Sequence, residues 1–342
     1  MYKKYNYTTD IKNLFKVLYQ LRLQNGFYIA SLGPEYQYTW LRDNFYCSIP
    51  ELWNNPEYYI QTYQTWLDYY KDIEGRYTKF SSIINKQVVD HTYEFPHVKL
   101  NTDLTELSIG WNHLQLDTLG YFLFGIGTGI EHGLHILRNE SDIQVLRNVI
   151  DLLEAIKYWS FAECGAWEEQ NEVSRLSSIG IILAGLFKIQ SYVKVPFELL
   201  QKGLSVFMEM FPNETTTRQY DLAQLFLIYP MNLLTGTQKQ IILNNIEKNL
   251  LRENGVIRYL DDTYYNVNGE AEWSFGFAYL GIIYYQLGDR EKAAYYYHKI
   301  IANSKDYNIP ELYYSGTNTP NDNTPLGWSL ALTIELAYLL NK

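Results

Sequence analysis

Cysteine is nearly absent from this 342-residue chain: Cys47 and Cys164 are too few for a disulfide framework, and their spacing matches no metal-binding motif. That scarcity predicts a reducing cytoplasm, as does an opening MYKKYNYTTD without the apolar run of a secretory leader. Long hydrophobic runs are missing as well. The most apolar stretch, 121–137, is interrupted by Glu131, His132 and glycines, and falls short of the ~20 apolar residues that cross a bilayer. Basic charge is in deficit, with 28 Lys and Arg against 38 Asp and Glu, and the net −10 repels phosphate backbones and anionic lipid. Neither nucleic acid nor membrane is an expected partner. Also absent are a Walker A sequence, a G-x-G-x-x-G between strand and helix, a G-x-S-x-G elbow and an H-E-x-x-H pair. With them go the commonest nucleotide-dependent and serine-hydrolase readings, and no metal or other cofactor is expected.

What is present suits a large packed core. Apolar residues make up 47% and charged residues 19%, which excludes disordered, collagen-like and fibrous chains. Aromatics reach 16%, with 33 Tyr and 8 Trp, a supply that either lines a groove stacking sugar rings or is a bias spread over the whole chain. Apolar i, i+3, i+4 spacing and cap signals give about twelve helices, at 8–24, 40–52, 56–74, 111–136, 142–158, 173–191, 196–209, 218–228, 235–248, 270–286, 289–303 and 324–340. Strand signals are few. A length of 342 suggests about two domains at ~150 residues each. Yet the breaks at 212–217, 251–269 and 305–325, and the polar stretch 76–110, all keep aromatics and none reads as a linker. One domain over 1–342 is therefore expected.

Twelve helices with alternating short and long connections predict six antiparallel hairpins closing into an inner and an outer ring, an all-α architecture. In such a ring every inner helix starts at the same end, so the segments before them converge. The polar and aromatic clusters fall at those junctions: PEYQYTWLRDN at 34–44, GWNHLQLDT at 110–118, GAWEEQNE at 165–172, TTTRQYDLAQ at 215–224, GVIRYLDDTYYN at 255–266 and IPELYYSG at 309–316. The glycines of GIGTG, Gly125, Gly127 and Gly129, lie inside a helical stretch and read as close helix packing.

Glu168 and Glu169 follow Trp167 at the expected start of the sixth helix, where a carboxylate either complements the helix N-terminus or, desolvated beside an aromatic wall and a like charge, keeps its proton as a general acid. Adjacent helical residues point ~100° apart, so only one of the two faces a scissile bond. Glu311, after Pro310, is either an ordinary surface glutamate or, across the same pocket, the carboxylate that activates water in glycoside hydrolysis. Arg42 and Asp43, after Tyr36 and Trp40, are either a capping ion pair or a donor fork and acceptor set among rings. Trp111 with Gln115 and Asp117, and Arg258 with Asp262 and Trp273, repeat that mixture, which suits a pyranose.

These motifs resemble those of the glucoamylases of glycoside hydrolase family 15. PEYQYTWLRDN resembles their tyrosine, tryptophan and Arg-Asp element, WNHLQLDT their Trp-Gly-x-x-Gln-x-Asp segment, AWEEQNE their Leu-Trp-Glu-Glu acid motif, and IRYLDDTYYN their Arg-Tyr-Pro-Glu-Asp-Thr-Tyr-Tyr-Asn, in the same order over roughly 20–340. The chain is also similar to the glucoamylase-like domain of phosphorylase kinase α and β subunits, known chiefly as regulatory parts of a kinase complex. Either resemblance implies an (α/α)6 barrel. The glucoamylase resemblance implies Glu168 as general acid, Glu311 as general base, and Glu169 as a substrate-binding carboxylate. It further implies Arg42 and Asp43 on the terminal glucose, Tyr36, Trp40 and Trp111 shaping its subsite, and Arg258 and Asp262 near the next sugar. The base motif reads Pro-Glu-Leu-Tyr-Tyr in place of the usual Glu-Gln, and Asn112 replaces a glycine; Glu169 stands where phosphorylase kinase subunits tend to have arginine. The expected activity is an inverting, exo-acting α-glucosidase releasing β-glucose from α-gluco-oligosaccharides. The rival is a non-catalytic glucan-binding or regulatory module.

Overall fold

The computed structural model describes residues 6–108, 110–170 and 172–342. The first five residues of the opening read for a leader, Ile109 in the 76–110 stretch and Asn171 in GAWEEQNE lie outside them. Along the chain, α1 (Tyr7–Leu18) returns as α2 (Leu41–Ser48), and the one-turn α3 (Glu51–Asn54) leads into α4 (Pro56–Tyr77). After α5 (Lys79–Lys86), α6 (Asp117–Glu131) runs back, followed by the pair α7 (Glu140–Ala155) and α8 (Leu176–Ile189). Next, α9 (Phe197–Met210) is answered by a 3-10 segment, Leu222–Leu227. The last two pairs are α10 (Gly236–Asn249) with α11 (Ser274–Gln286) and α12 (Arg290–Asn303) with α13 (Gly327–Asn341).

Burial sorts these elements into two rings. Every residue of α2 and of the 3-10 segment is buried, and α6, α8, α11 and α13 are nearly so, whereas α10 buries only Ile242, Leu243 and Ile246. Inner elements pack in the order α2, α6, α8, 3-10 segment, α11, α13, and α13 returns to α2. This is the (α/α)6 barrel. Several boundaries differ from expectation; the first, second and fourth helices end early, at Leu18, Ser48 and Glu131, and three differences bear on the site. The eighth helix shrinks from 218–228 to the 3-10 segment, because Asp221 caps it with a Gln224 capping box and the chain turns away after Leu227. The fourth starts at Asp117 and the sixth at Leu176, leaving Trp111 and the two glutamates in loops. The 76–110 stretch carries α5 and a strand that pairs with the segment before α2.

Close approach of the inner helices depends on glycine. A Cβ on Gly120 of α6 would sit 2.7 Å from the backbone of Ile181 and Ile182 in α8, and one on Gly127, within GIGTG, would lie 2.8 Å from Lys188 Cβ of the same helix. GIGTG is therefore a packing element.

Five of the six inner elements begin without a side-chain cap, as do outer α4 and α9, while the inner 3-10 segment is capped by Asp221. Asn6, Asn139, Thr235 and Asp289 cap α1, α7, α10 and α12 with their own side chains, but α2, α6, α8, α11 and α13 have no such cap. Unpaired N–H groups at a buried helix start need partners. Each inner element finds one in the loop leading to the next: Leu41 N to Val98 O at 2.9 Å, Leu116 N to Glu163 Oε2 at 3.4 Å, and Leu176 N to Glu214 O at 2.9 Å. Leu222 N to Arg258 O at 2.8 Å, Ser274 N to Glu311 O at 3.1 Å, and Gly327 N to Ala30 O at 2.8 Å complete the circle. Six site loops are thereby linked in a closed relay.

Candidate active site

Four of the six loops, with Ala30, line one cavity at the N-terminal end of the inner ring. Tyr36, Trp40, Arg42 and Asp43 come from the start of α2, and Ala166, Trp167 and Glu168 from the loop before α8. Arg258, Tyr264 and Trp273 come from the loop before α11, and Glu311, Leu326 and Trp328 from around the start of α13. The other two loops stand behind it. From the loop before α6, Gln115 is fully buried and accepts from Arg42 Nη1 at 2.9 Å, while buried Asp117 lies 4.0 Å from the same nitrogen. From the loop before the 3-10 segment, Asp221 accepts Trp167 Nε1 at 2.8 Å and Arg218 Nη1 at 3.0 Å. The expectation that all six clusters face the pocket is corrected to four facing it and two supporting it.

Glu168 sits in a turn well before α8, with a left-handed backbone at φ 60°. The turn, and not a helix N-terminus, sets its surroundings. Its Oε1 accepts from Trp40 Nε1 at 2.7 Å and from Arg42 Nη2 at 3.3 Å. The same turn sends Glu169 elsewhere. Glu169 is gripped by Arg218 at 2.7 and 3.0 Å and Arg175 at 3.1 Å. Burial alone would raise its pKa, but hydrogen bonds from Arg218 and Tyr259 and both guanidinium charges bring it down to about 2. It is not among the cavity-lining residues.

Glu311 is placed by a two-residue strand pair: Glu272–Trp273 lies antiparallel to Leu312–Tyr313, with Trp273 opposite Leu312. Oε1 accepts from the Tyr36 hydroxyl at 3.1 Å, and Oε2 from Asn321 Nδ2 at 2.6 Å and Asn323 Nδ2 at 2.7 Å. Burial raises its pKa, and these three donors oppose the rise by favouring the charged form. Asp43 feels both carboxylates. Burial pushes it up to about 7, Arg42 opposes, and the charges of Glu168 and Glu311 add to the rise.

The walls are aromatic. Trp167 lies near Trp273, Phe275 and Trp328, while Arg258 rests near the faces of Trp273 and Tyr264 at 5.0 and 4.8 Å. Two hydrogen bonds of 2.6 and 2.7 Å tie Arg258 to Asp262, which is fully buried and so holds the arginine from behind. Trp111 packs edge-on to Trp40 at 5.9 Å, away from the cavity lining.

Sequence reading missed several participants. Tyr264 and Trp328 line the cavity, and Asn321 and Asn323 hold the Glu311 carboxylate. Tyr264 lay in a cluster already noted at 255–266. Lys99, opposite Trp40 in the antiparallel pair Thr39–Trp40 and Lys99–Leu100, places Nζ 3.6 Å from the centroid of Trp111, 4.4 Å from Trp40 and 4.6 Å from Tyr38. Burial lowers its pKa to about 8 against the pull of Glu168 and Glu35. A lysine between extended residues carries no sequence signal for such a box. Among the described residues no cluster of His, Cys, Asp and Glu is arranged to hold a metal, and His97 and His113 are stacked in the interior, 3.6 Å apart. No described helix is long and apolar enough to cross a membrane.

Comparison with known proteins places this geometry. A family profile described as glycosyl hydrolases family 15 matches residues 8–189, just over half of the chain. Among solved structures, a glycosidase variant in complex with glucose superposes with TM-score 0.83 at 19% identity over 98% of this chain and 97% of that one. The glucoamylase of Saccharomycopsis fibuligera gives 0.70 at 13%, covering 98% and 94%. Among curated proteins, the liver α regulatory subunit of phosphorylase b kinase from Oryctolagus cuniculus is 23% identical over 278 residues, 69% of this chain. The chain spans 22% of that subunit's length, and 15% of the skeletal-muscle α subunit from Mus musculus.

Proposed function

The chain belongs to glycosyl hydrolase family 15, and on that premise we propose that it is an inverting, exo-acting α-glucosidase releasing β-glucose from the non-reducing ends of α-gluco-oligosaccharides. One observation carries the proposal. Glu168 and Glu311, far apart in sequence, line a single cavity with aromatic walls, together with buried Arg42 and Asp43. Inverting hydrolysis requires an acid on the leaving oxygen and a carboxylate that takes a proton from water on the opposite face.

In this reading Glu168 protonates the glycosidic oxygen. Glu311 accepts the proton of the attacking water, held by Tyr36, Asn321 and Asn323 in an orientation that keeps it from swinging away. Arg42 and Asp43 grip hydroxyls of the terminal sugar. Gln115 and Asp117 act through Arg42, Asp262 acts through Arg258, and Glu169 steadies the acid loop through Arg175 and Arg218. Trp40, Trp167, Trp273 and Trp328 supply apolar faces for the ring carbons. The two cysteines, both free and buried, fit a cytoplasmic setting.

The kinship with phosphorylase kinase regulatory subunits supports a second reading, a glucan-binding module without turnover. Proton NMR of fresh product separates the two. Early accumulation of the β-anomer supports hydrolysis with inversion, the α-anomer would mean retention, and binding of maltose or isomaltose without product would favour the module.

A further inference from the structure

At the other end of the barrel, the C-terminal halves of the inner helices surround a second cavity of about 530 Å³ that no step of the proposed hydrolysis uses. Small-molecule sites commonly measure about 300–1,000 Å³. On one side Trp53 and Tyr338 are stacked, with centroids 3.8 Å apart and planes 6° from parallel, next to the apolar rings of Phe45 and Phe124. On the other, the Thr128 hydroxyl is buried without a hydrogen-bond partner. Glu335 reaches in from α13 and accepts from Trp53 Nε1 at 2.9 Å, which leaves acceptor capacity unused.

The charges around the cavity narrow the choice of ligand. Lys188 pairs with Glu131 at 2.5 Å, and Lys342 Nζ lies 4.2 Å from the Tyr338 ring centroid. Two ammonium groups disfavour a cation. Two carboxylates, together with the negative ends of converging helices, disfavour an anion. A purely apolar ligand would bury Thr128 and Glu335 unsatisfied. A neutral molecule with one apolar face and several hydroxyls meets all three conditions. We propose that this cavity is a second binding site for a neutral hexose or disaccharide, separate from the catalytic pocket. The choice follows from the groups in the cavity itself and stands independently of the hydrolytic reading.

Calorimetric titration of the whole chain with glucose tests it. Two equivalents should bind to the wild type. Tyr338→Ala should lose one and keep its initial hydrolysis rate within about twofold, because it lies outside the catalytic pocket. Asp43→Asn should weaken the other and leave this one intact, so the result does not depend on any turnover. Thr128→Val keeps the side-chain volume and should weaken the second site about three- to tenfold, covering the case that Tyr338→Ala fails to fold. A single equivalent in the wild type that Asp43→Asn weakens and Tyr338→Ala leaves, two retained in folded Tyr338→Ala, or tetramethylammonium bound here in preference to glucose would each overturn the proposal.

Discussion

The Tyr36 hydroxyl donates to Glu311 Oε1 at 3.1 Å and lies 2.7 Å from the hydroxyl of Tyr264, so the proposed base is held by a tyrosine from the neighbouring loop, across the seam where the chain's last inner helix meets its first. A donor to a carboxylate stabilises the ionised form and lowers its pKa. Tyr36→Phe removes that donor, so the Glu311 pKa rises further. A base works only when ionised, and the acid limb of kcat/KM therefore moves to higher pH, with activity on that limb falling about tenfold. An unmoved limb in a folded variant would separate Tyr36 from the base.

Glu168→Gln and Glu311→Gln each remove one proton-transfer partner and leave the surrounding hydrogen-bond geometry largely in place. Glucose release should fall by about 10²–10⁴ in either variant, with circular dichroism and the unfolding midpoint close to wild type. Wild-type turnover from Glu168→Gln would remove its assignment as the acid.

Lys99 is charged below its pKa of about 8 and loses that charge as pH rises through it. If the ammonium contacts the leaving sugar, kcat/KM declines across about pH 8. Lys99→Arg keeps the charge and should carry activity to higher pH, whereas Lys99→Met should raise KM at every pH. A basic limb that is identical in all three proteins would dissociate Lys99 from substrate.

Asp117 is fully buried, and burial raises its pKa to about 6 against the opposing charge of Arg42. A raised carboxylate binds its proton more tightly in the folded state. The stability this gives is present below the unfolded value near 3.8 and is lost as pH rises through about 6. The loss amounts to at most ~3 kcal/mol. Asp117→Asn should flatten the decline in unfolding midpoint between about pH 4 and pH 6, as read by thermal denaturation.

Gly120→Ala forces a methyl group against the α8 backbone, where flexible side chains cannot yield. Overpacking of this kind costs typically ~1–3 kcal/mol. The variant should unfold at a lower denaturant concentration.

The architecture was legible because it rests on periodicity: six inner helices buried nearly all round and six outer ones with an exposed face leave a strong apolar rhythm. The 3-10 segment at Leu222–Leu227 escaped, since six consecutive buried residues look the same whether they wind as one helix type or the other. At the site, motif residues were visible by type but not by direction. Glu168 and Glu169 are neighbours in sequence, yet one turns into the cavity and the other into two arginines. Asn321 and Asn323 were read only as part of a break in helical rhythm, because their partner Glu311 lies on a different strand of the loop and no local pattern links them.

Glu311 O closes the link to Ser274 N, and Glu163 Oε2 closes the link to Leu116 N, so the loop bearing the proposed base and the segment leading to the proposed acid belong to one circuit of amide contacts. Opening one contact exposes a helix start that, at every junction but the Asp221-capped one, has no side-chain cap of its own. Isotope exchange at Leu41, Leu116, Leu176, Leu222, Ser274 and Gly327 should accordingly proceed as a group, at a rate set by the slowest common opening. The mouth of the barrel then breathes as a single hoop.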